Sequence, residues 1–134
     1  MNTINKELAL PVSDKLLLAL TPFISNQPHR AVTINFRDPD YSPQHGGFHP
    51  VEVRLEKQAQ QWCLCYITDF CYVGQGDYWE LAKEVDFDFG CGLFQSINGV
   101  FTLETATEIY QLWEQNFLCY WQELEVFEVN VSPG

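Results

Sequence analysis

Alternating apolar and polar residues predict β-strands in three segments of the first half of the chain. In Ala31 to Arg37 and in Val51 to Lys57, apolar side chains occupy every second position, as in a strand with one face buried. In Trp62 to Val73, apolar residues occupy both the odd and the even positions, so both faces of the strand are apolar. This is typical of a central strand covered on both faces. These three segments therefore predict the middle of a sheet.

The second half continues the same pattern with shorter segments. Asn98-Gly99 lies between two apolar runs, and this pair favours a hairpin with a type I′ turn, in which both central residues have positive φ. Tyr78 to Glu84 has no clear period and is predicted as a short helix or an irregular link. The segments predicted as strands are Val85–Phe89, Leu93–Ile97, Val100–Leu103 and Phe127–Val131.

Two segments have the period of an α-helix. Ser13 is placed to cap a helix that runs to about Ile24. Thr105 and Glu108 have the spacing of a capping box, and the residues after them are apolar on one helical face. The members of that face are Ala106, Ile109, Tyr110, Trp113, Phe117, Tyr120 and Trp121.

These elements predict an α+β fold. Most connections are a few residues long, which favours antiparallel pairing. We expect a twisted antiparallel sheet of about six or seven strands, with an N-terminal helix and a C-terminal-half amphipathic helix packed on it. A chain of 134 residues suits one core, so residues 1–134 are expected to form a single domain.

Composition excludes several classes of protein. Aromatic residues make up 15% of the chain, which excludes a disordered protein. The longest apolar stretch, Leu16 to Leu20, is too short to span a membrane and lacks the features of a secretory signal. We therefore expect a cytoplasmic protein without a membrane partner. Five cysteines without a signal argue against a disulfide framework.

Charge is distributed unevenly. Eighteen acidic residues against seven basic ones give a net charge of −11, which argues against direct nucleic-acid binding. Residues 84–134 contain nine acidic residues and neither lysine nor arginine. We expect one negatively charged surface there, suited to a basic protein partner. The residues chosen for this acidic face are Asp86, Asp88, Glu104, Glu108, Glu125 and Glu128.

The segment from Asp38 to Pro50 contains three prolines and two adjacent glycines, and is predicted as a long ordered loop. Long loops in compact domains are sometimes functional. Its two histidines and two aspartates, Asp38, Asp40, His45 and His49, suggest either a divalent-metal site or a loop held by backbone hydrogen bonds. The residues chosen as a second candidate binding site are Arg37, Asp38, Tyr41, His45, Phe48 and His49.

Three cysteines, Cys63, Cys65 and Cys71, fall on one face of the predicted central strand together with Asp69. A metal or redox site would be the functional interpretation. Alternate residues of a strand are about 6.6 Å apart at Cα, which is too far for parallel side chains to form a tetrahedral site. We therefore expect these thiols to be packing residues.

Part of the sequence resembles a known family. Phe36–Pro39, Gly46–Glu52 (G-G-F-H-P-V-E) and Tyr66–Phe70 are similar to the bacterial domain-of-unknown-function family numbered twenty-seven eighty-seven, found in marine gammaproteobacteria and often on genomic islands. The family has no assigned activity. Its fold is similar to that of the acidic mitochondrial matrix glycoprotein family, whose members are oligomeric, acidic and bind several ligands. The resemblance implies a sheet with flanking helices and assigns no catalytic residue.

Three functional hypotheses follow. The first is a non-enzymatic acidic binding protein without a cofactor. One apolar face of its central strand needs a cover, which the N-terminal helix, a long loop or a second subunit in a homo-oligomer could each provide. The second is a DNA-mimic inhibitor from a mobile element, which requires carboxylates along a ridge. The third is a metal-dependent or acid–base enzyme that uses the 38–50 loop. Motifs of hydrolases, zinc proteases, nucleotide-binding loops and EF-hands are absent, so the sequence argues against an enzyme.

Overall fold

The predicted strands pair into one antiparallel sheet. The computed structural model describes residues 3–134. Its α-helices are α1 (Asp14–Leu20) and α2 (Thr107–Leu118), with 3₁₀ turns at Thr21–Phe23 and Leu103–Ala106 and a π-helical turn at Cys119–Glu123. Its strands are β1 (Ala31–Arg37), β2 (Val51–Gln58), β3 (Gln61–Gln75), β4 (Tyr78–Asp88), β5 (Leu93–Ser96), β6 (Gly99–Thr102) and β7 (Glu128–Pro133). This confirms the predicted α+β class.

The strand order is β6-β5-β4-β3-β2-β1-β7. Strands β1 to β6 follow one another as a meander, so each pairs with its neighbour in sequence. Strand β7 instead pairs with β1 at the far edge, with Phe36 opposite Val129. The chain must therefore cross the sheet between β6 and β7, and α2 is the element that makes this crossing.

Both helices cover the same face of the sheet. Leu16, Leu17 and Leu20 of α1 are buried in one cluster with Ile34 of β1 and Tyr110 of α2. Within residues 3–134, no helix lies over the opposite face. The N-terminal helix is therefore not the second cover that the sequence predicts for the central strand, and a second subunit stays a prediction.

A β-bulge in β3 explains why the central strand has apolar residues at both odd and even positions. Leu55 pairs with Leu64 and Arg54 pairs with Tyr66, so Cys65 is an extra residue without a partner. The bulge shifts the alternation by one residue. Leu64 and Ile67 are therefore both buried on the helix-covered face. Uninterrupted alternation along the strand predicts Leu64 and Ile67 on opposite faces, and this prediction is wrong for the residues after the bulge.

The same bulge separates the cysteines. Cys63 precedes it and lies on the face opposite to that of Trp62 and Leu64, whereas Cys71 follows it and shares the helix-covered face with Asp69. The predicted common face of three cysteines is therefore not formed.

Strand β4 is longer than the sequence suggested. Residues Tyr78–Asp88 form one continuous strand, so the predicted short helix or irregular link at Tyr78–Glu84 is wrong. A second bulge lies in this strand, because Asp69 pairs with Val85 and Phe70 pairs with Lys83, which leaves Glu84 as the extra residue. Bulges redirect side chains, and this one brings Glu84 beside the loop that precedes β2.

Local signals at the helix ends had mixed outcomes. Ser13 Oγ accepts a hydrogen bond from Leu16 N at 3.1 Å, which confirms the predicted cap of α1. The α-helix ends earlier than predicted, because Pro22 has no N–H to donate and the chain continues as a 3₁₀ turn. The capping box is absent, since Thr105 Oγ1 donates to Thr102 O within the 3₁₀ turn and α2 begins later.

The hairpin between β5 and β6 is present as predicted, but with a different turn. Ser96 pairs with Gly99, so the central turn residues are Ile97 and Asn98. Among residues 96–99, only Gly99 has positive φ, at 123°, so neither central residue does. The turn is therefore not the predicted type I′. Within residues 3–134, neither helix is long and apolar enough to cross a membrane.

Candidate functional site

The 38–50 loop is held in shape by one carboxylate. Asp38 Oδ2 accepts a hydrogen bond from Phe48 N at 3.0 Å, and Oδ1 accepts one from Asp40 N at 2.9 Å. Gly47 has φ of 135°, and a Cβ there would lie 2.8 Å from Asp38 Oδ2. The loop therefore folds back tightly on Asp38 and presents Phe48 and His49 to the sheet.

His49 meets two carboxylates from the sheet. Its Nδ1 lies 2.9 Å from Asp69 Oδ1 on β3 and 2.6 Å from Glu84 Oε2 at the bulge of β4. Trp113 Nε1 of α2 donates a hydrogen bond to the other Asp69 oxygen, Oδ2, at 2.9 Å. Asp69 is thus fixed by the loop on one side and by the helix on the other. We refer to His49, Asp69 and Glu84 as the triad.

Electrostatics at the triad are dominated by the two carboxylates. The hydrogen bond to Asp69 raises the pKa of His49, and the nearby charges of Asp69 and Glu84 add to this effect against the opposing effect of burial. Within residues 3–134, neither carboxylate forms an ion pair with a lysine or arginine. Lys83 pairs instead with Asp86, at 3.6 Å. The triad therefore has less positive than negative charge unless another cation joins it.

A pocket of about 340 Å³ opens beside the triad, between the loop and α2. Its walls are mostly aromatic, with the ring of Phe48 4.7 Å from that of Tyr120 and the rings of Trp113 and Phe117 stacked at 4.9 Å. Its remaining lining residues are Gly47, His49, Val51, Asp69, Asn116 and Phe127. The arrangement combines aromatic faces with a carboxylate, a combination suited to an organic cation.

Tyr41 supports the triad from the loop. Its ring lies 5.5 Å from that of His49 and stacks on Tyr72 at 5.0 Å. Its hydroxyl oxygen accepts a hydrogen bond from Tyr72 N at 3.1 Å, and burial raises the pKa of the Tyr41 hydroxyl. Tyr41 therefore anchors the loop to β3.

The remaining predicted loop residues lie elsewhere. His45 is exposed, and its backbone N donates to Ser42 Oγ. Arg37 is exposed at the end of β1, opposite Glu128 of β7. Asp38 is engaged with the loop backbone. The metal-ligating set suggested by Asp38, Asp40, His45 and His49 is therefore not assembled, and only His49 of that set enters the triad.

The six residues of the predicted acidic face lie in separate regions. Asp86 is buried and accepts a hydrogen bond from Thr68 Oγ1 at 2.7 Å, and Asp88 accepts one from Cys91 N at 2.9 Å. Both belong to β4. Glu128 belongs to β7, four strand spacings away, which is about 19 Å at 4.8 Å per strand. Glu104 lies in the 3₁₀ turn before α2, Glu108 lies in the first turn of α2, and Glu125 follows the π-helical turn.

Sequence reasoning missed the sheet half of the site. The sequence pattern places Asp69 beside the cysteines and Glu84 among the acidic residues, and it places Trp113 and Tyr120 on the apolar helix face, so it predicts none of them as a site residue. A carboxylate within an otherwise apolar strand segment was the available signal for Asp69. Glu84 reaches the site through a bulge, for which the sequence gives no comparable signal.

Comparisons with known proteins are consistent with this fold. A family model described as "Protein of unknown function (DUF2787)" matches residues 6–132. The hypothetical protein VC0508 from the VSP-II pathogenicity island of Vibrio cholerae has 33% sequence identity and a TM-score of 0.89, with 100% of each chain covered.

A second solved structure, the conserved hypothetical protein VC1805 from pathogenicity island VPI-2 of Vibrio cholerae, has 38% identity and a TM-score of 0.84. The match covers 96% of this chain and 99% of that one. VC1805 is described as sharing structural homology with the human P32 protein. The expected fold relationship to the acidic mitochondrial matrix glycoprotein family is thereby confirmed. No curated protein matches the chain.

Proposed function

The chain belongs to the DUF2787 family of proteins of unknown function, and we propose that it is a non-enzymatic binding protein whose aromatic pocket accepts a basic side chain of a partner protein. The observation that carries the proposal is the aromatic pocket with Asp69 in its lining. An arginine side chain fits this chemistry, because its planar guanidinium stacks on aromatic rings and hydrogen-bonds to carboxylates.

Size and charge support the same guest. A volume of about 340 Å³ is at the lower end of the range for ligand pockets, which suits one side chain better than a cofactor. The net charge of −11 attracts basic partners at a distance and increases their association rate. Asn116 is also in the lining, and its side-chain amide is a further group that could hydrogen-bond to the basic side chain.

The surroundings of His49 support binding over catalysis. A histidine that activates a nucleophile is hydrogen-bonded to it. In the part of the chain that the structure describes, His49 contacts two carboxylates, and no serine, cysteine or lysine side chain hydrogen-bonds to it. The acid–base enzyme and the DNA mimic stay predictions without comparable support, the latter because its acidic residues lie in separate regions.

We also propose that the protein acts in a reducing compartment such as the cytoplasm. All five cysteines are free thiols, and one of them, Cys91, is exposed. Proteins of oxidising compartments tend to pair such thiols. Mass spectrometry of the protein from its native cells tests this, since five alkylatable cysteines are expected.

Titration with paired peptides tests the proposed function. A short peptide with one arginine and an otherwise identical peptide with citrulline at that position are added to the full chain, and the indole N–H signal of Trp113 is followed by NMR. We expect the arginine peptide to shift this signal and the citrulline peptide to bind at least about tenfold more weakly, as hydrogen bonds to charged groups predict.

Two variants make this test specific. Asp69→Asn removes the carboxylate of the pocket, and Asp40→Asn removes one from the exposed part of the loop. We expect only Asp69→Asn to abolish the preference for arginine over citrulline. Equal binding of both peptides, or equal loss in both variants, would contradict the proposal.

A further inference from the structure

We infer that His49, Asp69 and Glu84 form a binding site for one divalent transition-metal ion at the edge of the aromatic pocket. Each residue contributes one ligand atom, and these three atoms lie within 4.8 Å of one another. Ligands at about 2.1 Å from a metal and at right angles to each other are about 3 Å apart. The 2.9 Å between His49 Nδ1 and Asp69 Oδ1 matches this spacing, whereas Glu84 Oε2, 2.6 Å from the same nitrogen, has to move outward by a few tenths of an ångström to bind the ion.

Hydrogen bonds alone do not satisfy the triad. A ring nitrogen carries at most one hydrogen, so Nδ1 of His49 can donate fully to only one of the two carboxylates that face it. A protonated His49 offsets one of the two carboxylate charges that face it and leaves the other unbalanced. A divalent ion balances both charges and turns each of the three contacts into a metal–ligand bond.

Contacts outside the triad hold its ligand atoms in position. The bulge in β4 brings Glu84 to the side of Asp69. Trp113 Nε1 binds Asp69 Oδ2 and leaves Oδ1 directed at His49, which is the kind of outer contact that orients metal-binding carboxylates. The side chains of His49 and Glu84 are 35% and 42% exposed, so an ion can enter and keep water ligands.

The ligand set selects the class of ion. One imidazole and two carboxylates are typical of Zn²⁺ and Mn²⁺, whereas Mg²⁺ and Ca²⁺ prefer oxygen ligands alone. Zn²⁺ is expected to bind more tightly than Mn²⁺, because nitrogen- and oxygen-containing sites follow that order of affinity. The site leaves at least one coordination position open to solvent or to the pocket.

Metal binding does not depend on the proposed function. A bound ion neutralises the carboxylate that attracts a basic side chain, so the two cations compete for the site. Metal binding is measured on the full chain without peptide, and peptide binding in the presence of a chelator. Failure of one proposal is thereby distinguished from failure of the other.

Isothermal titration calorimetry tests the site. Metal-free full-length protein is titrated with ZnCl₂, MnCl₂ or MgCl₂, and we expect one Zn²⁺ per chain and no Mg²⁺. Glu84→Gln should weaken Zn²⁺ binding at least about tenfold, since even the loss of an outer contact has an effect of that size. Glu80→Gln is the matched control, because Glu80 is an exposed carboxylate on the same strand. Its Zn²⁺ affinity should stay within about twofold of wild type.

A second measurement locates the ion without relying on the folding of a variant. Mn²⁺ broadens NMR signals near its binding site, and we expect the strongest broadening at residues 48–50, 68–70 and 83–85 of the wild-type chain. Trp113→Phe retains the triad but removes the indole donor, and should weaken Zn²⁺ binding about tenfold. Absence of Zn²⁺ binding at millimolar concentration, equal weakening in both glutamate variants, or broadening centred elsewhere would overturn the inference.

Discussion

Gly47 is the residue on which the shape of the 38–50 loop depends most directly. It combines φ of 135° with close approach to Asp38 Oδ2 and to the backbone of Tyr41, whereas Gly46, at φ of 69°, has open space where a Cβ would lie. We expect Gly47→Ala to lower the free energy of unfolding by about 3 kcal/mol, from backbone strain and displacement of Asp38.

Gly46→Ala is the matched control for that loop variant. Its left-handed backbone alone should cost about 1 kcal/mol. Urea denaturation of both variants measures the difference. Equal midpoints would show that the contact between the loop and Asp38 contributes nothing to stability.

Cys65, the bulged residue of β3, should be chemically inert. Burial raises the pKa of its thiol to about 11, and the nearby carboxylate of Glu56 contributes. Since the thiolate is the reactive form, alkylation by iodoacetamide at pH 8 should be at least about tenfold slower in the folded than in the denatured chain. The folded-state rate should still increase above pH 9.5, where an ordinary thiol has levelled off. Site-resolved mass spectrometry measures both, and a plateau by pH 9.5 would contradict the assignment.

At the level of elements, one buried glutamate ties the two helices together. Glu114 of α2 accepts hydrogen bonds from Tyr110 Oη at 2.8 Å and from Ser13 N at 3.0 Å, at the start of α1. Glu114→Ala leaves the buried Tyr110 hydroxyl and the partly buried Ser13 N–H without their acceptor, and we expect a loss of about 3 kcal/mol in stability.

Two further variants make this prediction specific to the hydrogen bonds. Glu114→Gln keeps an acceptor oxygen and should lose only about 1 kcal/mol. Glu108→Ala changes an exposed residue of the same helix and should stay within about 0.5 kcal/mol of wild type. Chemical denaturation measures the free energy of unfolding of all three variants. Similar losses of stability in the two alanine variants would contradict the proposed role of Glu114 in connecting the helices.

Helices and strands could be predicted from the sequence wherever the periodicity of apolar and polar residues is uninterrupted. Strand β1 has the predicted bounds, and the cap at Ser13 is confirmed, because both depend on residues adjacent in sequence. The predictions were wrong where the position of a residue depends on how its strand pairs with another strand. The extra residues Cys65 and Glu84 exist only relative to the strands beside them, and the same is true of the register that moved the β5–β6 turn by one residue.

The candidate site was accessible to sequence reasoning only in part, for the same physical reason. The loop attracted attention through its prolines, glycines and histidines, and His49 is indeed at its centre. Asp69, Glu84 and Trp113 are brought to it by the sheet register and by the passage of α2 across the sheet. Such long-range positions follow from the packing of the whole chain, which no local motif encodes.

On the scale of the whole molecule, the uncompensated charge should oppose folding. The net charge is −11, and within residues 3–134 the ion pairs of lysine and arginine number three, at Asp14, Glu56 and Asp86. Repulsion among the remaining carboxylates destabilises the compact state. Salt shortens the screening length from about 30 Å at 0.01 M to about 8 Å at 0.15 M, which weakens this repulsion.

We therefore expect the melting temperature to rise by several degrees between these two salt concentrations at pH 7.5, because screening acts more strongly on the compact state than on the expanded one. Differential scanning calorimetry in the presence of a chelator measures the change without interference from bound metal. At pH 4.5 many carboxylates are protonated, so the same increase in salt should have a smaller effect. A melting temperature that falls with salt at pH 7.5 would mean that attractive ion pairs within the folded chain outweigh the repulsion among its carboxylates, which would contradict this prediction.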